Sequence, residues 1–175
     1  MNLKTALMIM MPPEVQALAL PTMRRYAERS MNYYPAHMTV IFPYVPFEAL
    51  GSAILRLHAA CVEIAPFTMT LFGYGMFKNA VYMAPTDPEL ILEVFHKVFD
   101  AFPEAPPYGG AYGNDPHPHV TVGLFDTEEE KQAAELPEYF PVTFLVDRFH
   151  VLYGSHDMGF TAPWITEAVV PLGEY

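Results

Sequence analysis

Two His-x-Thr triplets carry the residue types best suited to chemistry in this chain. One is His37-Met38-Thr39, and the other is His119-Val120-Thr121, 82 positions further on. An imidazole titrates near neutral pH and can act as a general acid or a general base. A threonine hydroxyl can donate a hydrogen bond to a phosphate oxygen without adding charge. Two such units facing each other would supply one base, one acid and two donors to a single phosphorus centre, with no metal ion required.

Each triplet opens a short run of β-branched and apolar residues, which predicts strands over 37–43 and 118–125. Side chains two positions apart in a strand point to the same face. The imidazole and hydroxyl of each triplet therefore share one face, and Met38 or Val120 anchors the other face to a core. The pattern alone leaves two interpretations open, a catalytic pair or two structural histidines near strand ends.

The elements that must position these triplets indicate an α+β fold, without the strand–helix alternation of a doubly wound sheet. A length of 175 residues fits one domain over 1–175. Further strands are predicted at 4–11, 67–72, 80–84, 140–153 with a bend near 147–148, and 160–172. Helices are predicted at 14–29 with an interruption near Pro21, at 46–62, at 90–98 with Asp87 as N-cap, and up to 135 after an N-cap at Asp126 or Thr127. Proline and glycine make residues 103–116 a long loop, and such loops are often functional.

Composition limits the classes of partner. Nine Lys and Arg against twenty Asp and Glu give a formal net charge of −11, which argues against a broad grip on a long nucleic acid. A small phosphate ligand or an RNA end in one local pocket is still compatible with that charge. Cys61 is the only cysteine, so the chain has no disulfide framework or thiolate cluster and we expect a buried thiol. The apolar run Ala6–Met11 is too short for a signal peptide or a membrane span, and we expect a soluble, cytoplasmic protein.

The two triplets and their flanking strands resemble the 2H phosphoesterase superfamily, which contains bacterial 2′-5′ RNA ligase-like proteins and RNA cyclic phosphodiesterases. The hallmark of that family is two His-x-Thr/Ser motifs, one in each lobe of a pseudo-twofold fold. The resemblance covers nearly the whole chain: the opening strand, Ala36–Phe42, Pro118–Leu124, and the ending with Val151-Leu152-Tyr153, Trp164 and Val170-Pro171-Leu172-Gly173.

The resemblance implies a bilobal fold in which two antiparallel sheets flank a central cleft, with helices on the outside. It implies metal-independent, cofactor-free chemistry on a 2′,3′-cyclic phosphate or a 2′-5′ phosphodiester of a nucleotide or RNA end. His37 and His119 would be the acid–base pair, and Thr39 and Thr121 would bind the phosphate. The acid and the base are not distinguished at this point, nor is hydrolysis distinguished from ligation.

Two other functions stay open from the residues. The chain could be a non-catalytic module that binds nucleotides or RNA ends, or a metal-dependent hydrolase that uses His117 and His119. His117 could also tune His119 or simply end a loop.

Further polar and aromatic residues lie near the triplets in sequence. The basic cluster Arg24, Arg25 and Arg29 is either a solvated helix face or a phosphate-facing rim. Loop tyrosines could stack on bases or pack at the rim; they are Tyr33, Tyr34, Tyr108 and Tyr112. His150 and His156 are interpreted as structural or exposed.

Overall fold

The fold is an antiparallel eight-stranded sheet with helices, seen in a computed structural model. The structure describes residues 3–31, 33–113, 116–155 and 163–173, and for Arg29 and Met31 it describes the backbone without the side chain. The strands are β1 Leu3–Met10, β2 His37–Ile41, β3 Phe67–Met76, β4 Ala80–Pro85, β5 Val120–Leu124, β6 Val142–Val146, β7 Arg148–Ser155 and β8 Ile165–Pro171. The helices are α1 Pro13–Tyr26, α2 Glu28–Met31, α3 Leu50–Val62, α4 Pro88–Ala101 and α5 Glu128–Gln132, with 3₁₀ turns at Phe47–Ala49 and Pro107–Gly110.

The sheet consists of two four-stranded halves that meet at β2 and β5. The strand order is β6-β3-β4-β5-β2-β1-β7-β8. Among the described residues, the two halves are joined in register by one pair, Met38 with Val120. We call the half with β1, β2, β7 and β8 lobe 1, and the half with β3–β6 lobe 2. This arrangement confirms the predicted bilobal α+β fold, with each His-x-Thr triplet at the inner strand of its own lobe.

The chain crosses between the lobes at Asp147. β6 pairs with β3 at the edge of lobe 2, whereas β7, which begins after Asp147, pairs with β1 and β8 in lobe 1. The Asp147 carbonyl accepts a hydrogen bond from the Leu172 amide at 2.8 Å, which ties the crossing point to the end of β8. The bend predicted near 147–148 is therefore the passage from one half-sheet to the other.

The middle residue of each triplet anchors it to the core. Met38 and Val120 have no exposed surface and belong to one core that continues through both lobes. Burying a side chain of this size stabilises the fold by about 1.5–3 kcal/mol. Helix α1 packs on β5, and α3 packs on α4 and β8, so helices cover each lobe. Among the described residues, no helix is long and apolar enough to cross a lipid bilayer.

Most predicted elements are confirmed, with shifts at their ends. Helix α1 runs without a break through Pro21 and stops at Ala27, because its buried face outweighs the one hydrogen bond that a proline removes. Asp87 caps α4, and Thr127 caps α5 in a capping box with Glu130. β5 begins at Val120, so His119 lies immediately before the strand.

Candidate active site

The seam between the lobes brings the two triplets together. Met38 pairs with Val120 in antiparallel register, so the next positions on either side place His37 opposite Thr121 and Thr39 opposite His119. These four side chains share the face turned away from the buried Met38 and Val120. The imidazoles therefore lie diagonally across the seam, each with a threonine as its cross-strand neighbour.

Both imidazoles are oriented by the same backbone contact. The Nδ1 atom of His37 lies 2.9 Å from the Pro35 carbonyl oxygen, and that of His119 lies 2.7 Å from the His117 carbonyl oxygen. A carbonyl only accepts hydrogen bonds, so each Nδ1 must carry the proton. Each Nε2 is then the nitrogen that gains or loses a proton. The two histidines are therefore equivalent in tautomer and in the nitrogen that titrates.

An aromatic ring holds each imidazole at nearly the same geometry. Tyr34 meets His37 edge to face, with ring centroids 4.8 Å apart and an interplanar angle of 83°. Phe77 meets His119 at 4.8 Å and 87°. Such contacts restrict ring rotation and limit access of water to one side of each half-buried imidazole.

The same surroundings lower the pKa of both histidines. Burial is the main cause of the lowered pKa of His37; the hydrogen bond to Pro35 opposes it, and the charge on His119 lowers the pKa further. Burial is also the main cause of the lowered pKa of His119. The hydrogen bond to the His117 carbonyl raises that pKa, and the charge on the His117 side chain lowers it further. The effect of His119 on His37 means that a proton on one imidazole disfavours a second proton on the other.

His117 supports the backbone that orients His119. Its Nε2 atom lies 3.0 Å from the hydroxyl of Tyr82, a residue of the neighbouring strand β4. This contact holds the His117 side chain against β4. The Tyr82 ring occupies the space over Gly75, where a Cβ atom would come within 2.2 Å of the ring. Glycine at 75 is therefore required for this arrangement.

The described residues contain no group of three or more His, Cys, Asp or Glu side chains that could hold a metal ion.

A second aromatic layer backs His37 in lobe 1. Tyr34 and Phe42 both lie with ring centroids 6.0 Å from that of Trp164, a residue that the family resemblance includes. Trp164 in turn lies over Gly154, where a Cβ atom would come within 2.5 Å of the indole. Each lobe thus uses a glycine in its sheet to seat a large aromatic side chain: Tyr82 has its ring centroid 5.6 Å from that of His119, and Trp164 packs behind Tyr34.

An open cavity of about 580 Å³ lies on the lobe 2 side of the seam. It is lined by Phe77, Lys78, Asn79, Ala80, Tyr108, Tyr112, Pro116, His117, His119 and Thr121. Sequence reasoning missed Lys78, Phe77 and Tyr82 as site residues. Lys78 lies in the turn between β3 and β4, and no spacing signal connects that turn to either triplet.

Arg24 and Arg25 are not among the residues that line this cavity. Arg25 forms an ion pair with Glu135 at 2.8 Å, and its guanidinium lies 5.2 Å from the Tyr26 ring centroid. It lines a neighbouring groove of about 960 Å³ that also includes Tyr34. Arg24 is exposed, and the Arg29 side chain lies outside the described residues.

His150 and Cys61 are not among the residues that line the cavity beside His119. His150 is half-buried in β7, and its Nδ1 has no partner among the described residues. His156 lies outside the described residues. Cys61 is fully buried as expected, and burial raises the pKa of its thiol to about 12.

Comparison with known proteins adds a family and a fold. The sequence profile of the 2′-5′ RNA ligase superfamily matches residues 11–157. The crystal structure of TT0787 from Thermus thermophilus covers 98% of this chain and 100% of that chain, with a TM-score of 0.73 and 18% identity. Escherichia coli LigT complexed with 3′-AMP covers 99% and 100%, with a TM-score of 0.70 and 17% identity. The LigT complex with NADP+ covers 99% of each chain, with a TM-score of 0.68 and 18% identity. No match was found among curated protein sequences.

Proposed function

Because the chain belongs to the 2′-5′ RNA ligase superfamily, we propose that it is a metal-independent phosphodiesterase formed by one bilobal domain. Its substrate is the 2′,3′-cyclic phosphate or 2′-5′ phosphodiester of a nucleotide or an RNA end. His37 and His119 are the acid–base pair, and Thr39 and Thr121 bind the phosphate. The family is the one expected from the two triplets; the activity and the residue roles are the proposal.

The observation that carries the proposal is the matched state of the two imidazoles. Each has its Nδ1 proton engaged by a backbone carbonyl, and each therefore has Nε2 as its titrating nitrogen. Two such groups across one seam can act on opposite sides of a phosphorus atom. One must start neutral, to accept a proton, and the other must start protonated, to donate one.

Hydrolysis of a cyclic phosphate then balances without a further reactant. The neutral imidazole takes a proton from water as the water oxygen forms a bond to phosphorus. The bond from phosphorus to the 2′ or 3′ oxygen breaks, and the protonated imidazole donates its proton to that oxygen. The products are a phosphate monoester and a free hydroxyl group. The threonine hydroxyls donate to the non-bridging oxygens, where negative charge increases in the transition state.

Charge and cavity size favour a short substrate. Lys78 is the one cation among the described residues that line the cavity beside His119. A long RNA would need several phosphate-neutralising cations, and the chain carries a net charge of −11. A single nucleotide or an RNA end, with its aromatic base against Phe77 or Tyr112, matches the aromatic lining.

The direct test is turnover of a panel of 2′,3′-cyclic nucleotides in the presence of EDTA. We expect hydrolysis at an unchanged rate, because two imidazoles and two hydroxyls provide the proposed chemistry without an ion. Product formation is followed by chromatography of the monophosphates. Loss of activity with EDTA, restored by a divalent ion, would replace the proposal with the metal-dependent hydrolase. Binding of the nucleotides without turnover would favour the non-catalytic module.

The pH dependence of turnover should reflect the lowered histidine pKa values. Activity falls at acidic pH when the base is protonated, and falls at alkaline pH when the acid loses its proton. Because burial lowers both pKa values in the free protein, we expect a bell-shaped kcat/KM profile with its maximum on the acidic side of about 6.5. The bound phosphodiester anion should raise both pKa values and move the kcat profile to higher pH.

Steady-state kinetics from about pH 4.5 to about pH 9 would test this expectation. The two limbs belong to the coupled pair and are not assigned to single residues. A kcat/KM profile that is flat between the limits of protein stability would contradict acid–base catalysis by histidine.

A further inference from the structure

Tyr108 lies in the long loop before the second triplet. The 3₁₀ turn Pro107–Gly110 contacts β2, the strand of the first triplet, although it follows α4 in the chain. Tyr108 is half-buried there and lines the same cavity as His119 and Thr121. Its hydroxyl lies beside the side chain of Thr39. One loop residue therefore connects the first triplet with the cavity of the second.

The backbone at Tyr108 has a conformation that disfavours a large side chain. Tyr108, Gly109 and Gly110 all have left-handed backbone angles, with φ of 51°, 64° and 82°. Glycine adopts this region freely, whereas a tyrosine is strained in it. Strain of this kind persists where the surrounding structure holds the residue in place, and it clusters at ligand-binding positions.

The chemistry of the phenol suits a phosphate. Burial raises the pKa of Tyr108, the neighbouring Thr39 hydroxyl opposes that shift, and Tyr112 adds to it. The hydroxyl is therefore neutral at physiological pH and can donate a hydrogen bond. Its ring is held edge to face by Tyr112, with centroids 5.5 Å apart and an interplanar angle of 82°.

We propose that the Tyr108 hydroxyl is a third hydrogen-bond donor to the substrate phosphate, acting with Thr39 on the same non-bridging oxygen. The inference rests on the proposed function, and it makes the two halves of the site unequal. Thr39 acquires a phenol as partner, whereas Tyr82, the cross-strand neighbour of Thr121, has its hydroxyl 3.0 Å from the Nε2 atom of His117. A residue from a loop outside the two half-sheets thereby contributes to the phosphate site.

The test compares Tyr108→Phe with wild type in hydrolysis of 2′,3′-cyclic AMP. The substitution keeps the ring and removes only the donor, so we expect kcat to fall about 10- to 100-fold, the usual effect of one hydrogen bond to a charged group. Tyr153→Phe is the matched control, because that ring contacts Phe47 in lobe 1 away from the cavity. In the double variant with Thr39→Val, the combined loss should be smaller than the product of the two single losses.

Further measurements separate the possible failures. Binding of 3′-AMP, measured by calorimetry, should also weaken in Tyr108→Phe. Wild-type kinetics and binding in Tyr108→Phe would overturn the inference alone, even if Tyr108→Ala were impaired, since that pattern indicates packing by the ring. A wild-type protein that binds 3′-AMP but hydrolyses none of the cyclic nucleotides would overturn the proposed function. Weaker binding by Tyr108→Phe would then still support the donor. A wild type that neither binds nor hydrolyses would overturn both.

Discussion

His37→Ala and His119→Ala should each lose most of the activity, about 10²- to 10⁴-fold in kcat. Each variant removes the imidazole whose Nε2 is proposed to exchange the proton, because Nδ1 is engaged by the Pro35 or His117 carbonyl in the wild type. The double variant should be little worse than the worse single variant, since the two residues act as a unit. Steady-state hydrolysis of 2′,3′-cyclic nucleotides by the three variants measures this effect.

His58→Ala provides the matched control for these variants. His58 is exposed on α3, and its removal should leave both activity and folding unchanged. The two site variants should also stay folded, which thermal unfolding checks, because Met38 and Val120 supply the core contacts of the triplets. Near-wild-type turnover by either site variant on every cyclic phosphate would make two-histidine catalysis wrong and a binding role the better interpretation.

Thr39→Val and Thr121→Val should each reduce kcat by about 10²- to 10³-fold, the usual cost of one preorganised donor to a developing negative charge. Valine has nearly the shape of threonine and removes only the hydroxyl. Thr→Ser at the same positions should retain much of the activity, because the donor stays. Kinetics of the four variants on one cyclic nucleotide compare the two effects.

The control for the threonine variants is Thr68→Val. Thr68 lies exposed on β3, where it pairs with Leu145 at the outer edge of lobe 2. We expect it to behave as wild type. If all variants at Thr39 and Thr121 were equally active, the two threonines would have only a packing role.

The sequence predicts the motif-bearing strands well because strand periodicity is a local property. Alternation places His37 and Thr39 on one face, and the structure has that alternation with Met38 fully buried. Caps are equally local: Asp87 caps α4 as predicted, and Thr127, one of the two predicted candidates, caps α5. Family resemblance supplied the bilobal arrangement, which no periodicity in the chain contains.

The contacts around the triplets could not be predicted in the same way, because they join distant parts of the chain. Phe77 reaches His119 from a hairpin far earlier in the sequence. Tyr82 meets His117 from a neighbouring strand, and Tyr108 reaches Thr39 through a loop with left-handed angles. Helix propensity also misplaced one break: Pro21 is tolerated inside α1, and Ala27 ends the helix.

The route of the chain through the two lobes has a consequence for folding. Lobe 2 consists of β3 to β6, a continuous stretch that holds His119, whereas lobe 1 joins β1 and β2 to β7 and β8 from the other end of the chain. Closing a loop from residue 41 to residue 148 carries an entropic cost that local hairpins avoid, so lobe 1 should assemble late. Recovery of turnover during refolding would then follow the final docking step, and intermediates with an ordered second lobe would be silent in that assay.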